Sequence, residues 1–126
     1  MKKYHAIVIE QSLRNKKVLD SFKILHTKHS GDWDLHILEI EDTNKAIKII
    51  QPVMVKDKNY YWHIYNDDSE LIIVFNKKVF RLDPKDQSTW KDAQEYGAKE
   101  LNIIPDQLDF YPTKFKDESN WLAGKD

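Results

Sequence analysis

Apolar and polar residues alternate with a period of two along most of the chain, and this pattern predicts a protein built mainly from β-strands. We expect about six strands, over residues 4–10, 22–29, 33–41, 60–66, 70–75 and 78–82. The run Leu71–Phe75 is apolar on both of its faces. A strand covered on both faces is typical of the middle of a sheet, so we place this run near the sheet centre.

Two short polar segments have the composition of tight turns. Ser30, Gly31 and Asp32 separate the second and third predicted strands, and Gly accepts the positive φ that such turns require. We therefore predict a β-hairpin over residues 22–41. Asn76 and Lys77 predict a second tight turn, which joins the last two strands.

The alternation is interrupted by two stretches with helical spacing. Asp42 and Thr43 can cap a helix whose apolar positions between Ala46 and Met54 share one face, and Pro52 should end or kink it near Ile50. In the second stretch, Ser88 or Thr89 is the expected cap. One face of that helix carries Trp90, Ala93, Gly97 and Leu101.

This order of elements predicts an α+β domain with a mostly antiparallel sheet and two main helices on one face. The first part resembles a ferredoxin-like β-α-β-β-α-β order in which polar residues 11–20 replace the first helix, and a β-β-α unit is appended. We expect a single domain over residues 1–110. Residues 111–126 would form a C-terminal tail, either docked or disordered.

Composition excludes several classes of function. The 126 residues include no Cys, which excludes disulfides, zinc-thiolate sites and cysteine nucleophiles and fits a cytoplasmic protein. The longest apolar run, Leu71–Phe75, is far short of the roughly 20 residues of a membrane-spanning helix. With three Gly, the chain lacks a glycine-rich phosphate loop, and we expect no cofactor.

Charge argues against general binding of nucleic acid. The formal net charge is −1, whereas nucleic-acid binders present a basic surface. Residues 1–30 are nevertheless basic, with seven Lys or Arg against two Asp or Glu. This basic segment suggests a hypothesis weaker than the two leading ones given below, namely a binder of oligonucleotides or other anions. Its basic residues would be Arg14, Lys16, Lys17, Lys23 and Lys28.

The segment from Tyr60 to Asp68 carries the most interesting chemistry. On a strand, Tyr61, His63 and Tyr65 share one face, and Asp67 follows at the strand end with Asp68. A His beside Tyr hydroxyls and a carboxylate could perform acid–base chemistry or orient a polar ligand. The alternative is ordinary packing, because aromatic residues are favoured in strands. The chain has four more histidines, at positions 5, 26, 29 and 36, and we predict no metal site among them.

Three stretches resemble a family of small bacterial proteins that has no activity to transfer. They are Trp62-His-Ile64-Tyr65 leading into Leu71–Phe75, then Trp90–Gly97, then Ile104–Phe110. The resemblance implies an intact natural domain and adds no function.

Two leading hypotheses remain open. The first is a non-catalytic binding or interaction module, whose partner is a protein or a small molecule, with a homodimer possible. The second is a small enzyme or ligand-binding protein that uses a cleft at His63, with Tyr61, Tyr65 or Asp67 as helpers. The position of His63, in an open cleft or in a filled core, separates them.

Overall fold

A computed structural model describes residues 3–55, 60–67, 70–104 and 107–123. The strands are β1 (Tyr4–Ile9), β2 (Lys23–Ser30), β3 (Trp33–Ile40), β4 (Trp62–Asn66), β5 (Glu70–Val74) and β6 (Val79–Leu82). The α-helices of this part of the chain are α1 (Thr43–Ile50), α2 (Lys91–Glu100) and α3 (Glu118–Leu122). One antiparallel sheet has the order β2-β3-β1-β4-β5-β6. The predicted α+β class with an antiparallel sheet of about six strands is confirmed.

Local signals place the hairpin and the first helix where the pattern predicts them. Ser30 pairs with Trp33 across a tight turn in which Gly31 has a φ of 59°. The Asp42 side chain accepts a hydrogen bond from the Lys45 amide at 3.1 Å and so caps α1. The helix ends at Ile50, and Pro52 lies in the short 3-10 turn that follows.

The second main helix begins differently from the prediction. A 3-10 turn over Gln87–Trp90 precedes α2, and the carboxylate of Asp86 accepts from the Ser88 amide at 3.1 Å. Asp86 therefore caps the 3-10 turn, and α2 continues from Trp90 without a side-chain cap of its own. The prediction of Ser88 or Thr89 as the helix cap was wrong. A Cβ on Gly97 would lie 2.8 Å from Cδ2 of Leu108, so glycine lets the loop after α2 approach the helix closely.

The prediction that both helices cover one face of the sheet was wrong. Helix α1 packs with Ala6, Leu38 and Ile64, whereas α2 packs with Ile7 and the other residues of opposite alternation. We call these sides the α1 face and the α2 face. Because neighbouring strand residues point to opposite faces, a sheet with apolar residues on both faces needs a cover on each.

The prediction of a central position for Leu71–Phe75 was also wrong. All of this run except Phe75 belongs to β5, which is fifth in the sheet and lies between β4 and the edge strand β6. Its residues are buried because helical layers cover both faces of the sheet. Full burial of a strand therefore does not require a central position here.

The six-strand order is not a simple ferredoxin-like order, because β5 and β6 extend the sheet beyond β4. Short 3-10 turns over Glu10–Ser12 and Lys16–Ser21 occupy the polar segment after β1. No helix in the described ranges is both long and apolar enough to cross a lipid bilayer.

The C-terminal segment packs on the α2 face. Trp121 is 8% exposed and belongs to the core of that face, and Tyr111 and Phe115 pack against the same core. Residues 111–123 thus form part of the cover of the sheet.

Candidate functional site

Strand alternation brings the predicted aromatic residues together on the α2 face. The rings of His63 and Tyr65 are nearly parallel, with their centroids 5.4 Å apart, and the Tyr61 ring lies 6.5 Å from His63. Trp62 and Ile64 point the other way into the core of the α1 face. The side chains of Tyr61, His63 and Tyr65 therefore form one row on the same strand face, as the sequence pattern predicts.

His63 is a buried and neutral imidazole. It is 4% exposed, and its Nε2 lies 2.9 Å from the carbonyl oxygen of Pro112. Because a carbonyl only accepts, Nε2 carries the proton and Nδ1 carries the lone pair. Burial lowers the pKa of His63 from 6.5 to about 4, so the ring is uncharged at neutral pH.

The predicted helper Asp67 does not serve His63. Its Oδ1 accepts a hydrogen bond from the backbone amide of Phe115 at 2.9 Å, which ties the end of β4 to the C-terminal segment. The neighbouring Asp68 lies outside the described residues. A strand places residues four apart too far along its axis for direct pairing, since each residue advances about 3.3 Å.

Tyr65 belongs to a buried polar network that the sequence pattern did not indicate. Its hydroxyl donates to Oε2 of Glu118, and the same oxygen lies 2.5 Å from Nδ1 of His5. The Phe115 ring stacks on His5 with centroids 4.0 Å apart. Burial first, and then the Glu118 carboxylate, raise the pKa of Tyr65. This network joins β1 and β4 to α3.

A pocket of about 260 Å³ opens on the α2 face beside His63. Aromatic side chains form much of its wall, namely Trp33, Tyr60, Tyr61, Tyr111 and Trp121. The aliphatic lining residues are Ile7, Ile9 and Leu35 from the sheet and Ile103 from the loop after α2. The polar lining residues are Lys28, Ser30, His63, Gln107 and Asp109. The pocket lining is therefore more apolar than polar, and it combines aromatic walls with several polar groups, as many ligand sites do.

Contacts from distant parts of the chain hold the pocket walls in place. The Tyr61 hydroxyl donates to the Gln107 carbonyl, and Trp33 meets Tyr60 edge to face with centroids 6.1 Å apart. The Lys28 ammonium donates to the Trp121 carbonyl at 2.6 Å and lies 4.8 Å from the centre of the Trp121 ring. These contacts fix the aromatic surfaces before any ligand arrives.

A second pocket, of about 510 Å³, lies between the start of α1 and the ends of β2 and β3. Charged residues dominate its rim, and Glu39 pairs there with Lys23 at 3.9 Å. Because none of the charged residues that line it is buried, it is the weaker candidate.

The remaining histidines do not gather around a common point. His29 bonds to Asp34, whereas His36 lies between Thr27 and Glu10. Within residues 3–55, 60–67, 70–104 and 107–123, no group of three His, Asp or Glu side chains is placed to hold a metal ion.

The basic residues of the N-terminal segment do not form one patch. Arg14 donates to the Pro52 carbonyl at 2.5 Å, next to α1, whereas Lys28 contacts Trp121 on the α2 face. Lys23 pairs with Glu39.

No protein-family model, curated protein or solved structure matches the chain. The resemblance to small bacterial proteins therefore stays a prediction.

Proposed function

We propose that the protein binds a small, flat and largely apolar molecule in the pocket beside His63, without chemical conversion. The observation that carries this proposal is the aromatic lining of a preformed pocket next to a buried, neutral imidazole. Such a combination of apolar walls and few polar groups is the usual chemistry of a small-molecule site.

The size of the pocket supports a ligand of one or two rings. A volume of about 260 Å³ lies just below the roughly 300–1,000 Å³ that is usual for small-molecule pockets, so the ligand must be small. Flat ligands gain from aromatic walls because their faces and edges pack on rings at favourable offsets. The burial of apolar ligand surface then supplies most of the binding free energy.

His63 supports selection for a ligand that donates a hydrogen bond. Its Nε2 proton is already engaged by Pro112, so only the Nδ1 lone pair is left to bind a ligand. A ligand N–H or O–H can satisfy that lone pair, whereas a ligand acceptor would meet another acceptor.

The enzymatic alternative has less support. A general base works best when its pKa is near the working pH, and the pKa of His63 is about 4. The carboxylate proposed as its helper, Asp67, is engaged by the Phe115 amide instead. Both observations favour a positioning role for His63.

Indole is a suitable test probe because it is flat, uncharged and carries one N–H donor. We expect indole titration to shift the amide NMR signals of pocket residues such as Leu35 and Gln107 in a saturable manner. Trp33→Ala should weaken binding because Trp33 forms part of the aromatic wall. Ile24→Ala is the matched control, since Ile24 is also an exposed apolar residue of the hairpin and lies outside the pocket.

Two results would contradict the proposed function. One is the absence of saturable shifts at pocket residues. The other is equal weakening by Trp33→Ala and Ile24→Ala, which would assign indole to general surface adsorption.

We also propose a ferredoxin-like unit, a cellular location and an association for this protein. We propose that residues 4–66, with the neighbour order β2-β3-β1-β4, correspond to the predicted ferredoxin-like unit, and that β5, β6 and α2 are the appended part. A cytoplasmic location and association with a second copy or another protein are also proposed. Cell fractionation and light scattering test these two.

A further inference from the structure

We propose that the ligand is a flat aromatic acid whose carboxylate binds Lys28. This inference rests on the proposed function, because it concerns the same pocket. It adds the chemical class of the ligand and the residue that selects it.

Lys28 is a half-buried cation in the pocket wall with a fixed position. Its ammonium group donates one hydrogen bond to the Trp121 carbonyl. The same group also lies over the Trp121 ring. None of the ion pairs between described residues includes Lys28. An ammonium has three donors, so Lys28 retains N–H groups for an anion that enters the pocket.

The carboxylate of Asp109 is not placed to neutralise Lys28. It accepts a hydrogen bond from the Tyr111 amide at 3.3 Å, and it acts electrostatically on Tyr61 beside β4. Strands β3 and β1 separate β4 from β2, which carries Lys28. Three spacings between neighbouring strands amount to about 14 Å. No ion pair within 4.0 Å joins these two described residues.

Sheet register gives the pocket a polar end, an apolar middle and a second polar end. Lys28 pairs with Leu35 and Leu35 with Ile9, and Ile7 pairs with His63 on the far side. A ligand that lies across these strands meets a cation first, then aliphatic side chains, then a hydrogen-bond acceptor. A flat ring system with a carboxylate at one end and an N–H or O–H at the other has the matching order.

Indole-3-acetate and indole-3-acetamide form a probe pair that differs in charge and hardly in shape. In the wild-type protein we expect the acid to bind about tenfold more tightly than the amide, because hydrogen bonds to a charged group contribute more than neutral ones. Lys28→Met should remove this preference, whereas Lys28→Arg should keep it. Lys23→Met, which removes an exposed lysine of the same strand outside this pocket, should also keep it.

The outcomes separate this inference from the proposed function. Binding of both probes with equal affinity to the wild type, or an unchanged preference in Lys28→Met, would overturn the role of Lys28 and leave the pocket intact as a site. If neither these probes nor indole binds, both proposals are wrong. Affinity for the amide serves as an internal control, because it should change less than affinity for the acid in Lys28→Met if the Trp121 wall is preserved.

Discussion

The α1 face is covered by one amphipathic helix, the 3-10 turn after it and the short 3-10 segment that follows β1. The cover of the α2 face comes from α2, the loop after it and the C-terminal segment. On the α1 face, the helix packs apolar residues against apolar strand residues. On the α2 face, the separate pieces meet around aromatic rings, a buried carboxylate and the pocket.

A cover assembled from several segments requires specific contacts between them. Pieces that are distant in sequence need specific contacts to hold them together, and polar side chains supply these on the α2 face: Glu118 bonds to Tyr65, and Asp67 bonds to the Phe115 amide. Gaps between such pieces can remain open, and one of them is the pocket. The α1 face therefore provides stability through packing, while the α2 face combines stability with a candidate site.

The largest expected loss of stability follows from a substitution in the core of the α1 face. Trp62 is fully buried there, so Trp62→Ala should lower the free energy of unfolding by about 3–5 kcal/mol through lost burial and a cavity. The midpoint of urea unfolding measures this loss, provided that the slope of unfolding free energy against urea concentration is the same in both proteins. If the variant does not fold, Ile64→Val is the milder probe, with an expected loss of about 0.5–1.5 kcal/mol. A loss under 1 kcal/mol for a folded Trp62→Ala would show that this face is not the stabilising one.

The next effect is a dependence of stability on pH through His63 on the α2 face. The folded pKa of about 4 lies below the ordinary value of 6.5, so between these values the unfolded chain binds more protons. The contribution of His63 to stability is therefore present above about pH 6.5 and is lost as the pH falls towards 4. The loss is on the order of 3 kcal/mol.

His63→Ala tests this linkage. At pH 7 it should cost about 1–3 kcal/mol, because a buried side chain and its bond to Pro112 are lost. The difference between wild type and variant should then shrink on acidification to pH 4. Parallel stability curves from pH 7 to pH 4 would disprove the neutral, buried state of His63, and no cost at pH 7 would reverse its assignment to packing.

A similar or smaller loss of stability is expected when the hydrogen bond between Tyr65 and Glu118 of α3 is removed. Glu118→Ala leaves the buried hydroxyl of Tyr65 without its acceptor, which should cost about 1–3 kcal/mol. Glu100→Ala, at an exposed position of α2, is the control and should stay within about 0.5 kcal/mol. Adding Tyr65→Phe to Glu118→Ala should recover part of the loss, since the unpaired hydroxyl is then absent. If the stability losses of Glu118→Ala and Tyr65→Phe simply add in the double variant, the two side chains are not coupled.

The smallest effect on stability is expected at the pocket rim. Trp33 is 37% exposed, so Trp33→Ala should change the free energy of unfolding by about 0.5 kcal/mol or less while it weakens indole binding. A stability loss close to that of Trp62→Ala would erase the contrast between the core and the site.

Much of the local structure was predictable because its causes lie within a few residues. The hairpin follows from alternation and from the Ser30-Gly31-Asp32 turn, and α1 follows from the Asp42 cap and Pro52. The shared face of Tyr61, His63 and Tyr65 also follows from strand alternation alone.

Other features lay outside the reach of the pattern because they depend on contacts between distant segments. Glu118 joins His5 across 113 positions, and Trp121 meets Lys28 across 93. Charge composition does not reveal that Glu118 is the carboxylate that will be buried. The lining role of Trp121 had no local signal.

The α+β class, the hairpin, the first helix and the shared strand faces depend on side-chain period, turn residues and caps, all of which are present in the residue pattern. The placement of α1 and α2 on opposite faces, the fifth position of β5 and the neutral state of His63 beside a pocket emerge only in the folded molecule. Alternation gives two equivalent faces to each strand, and the path of the chain and long-range packing decide what covers each one.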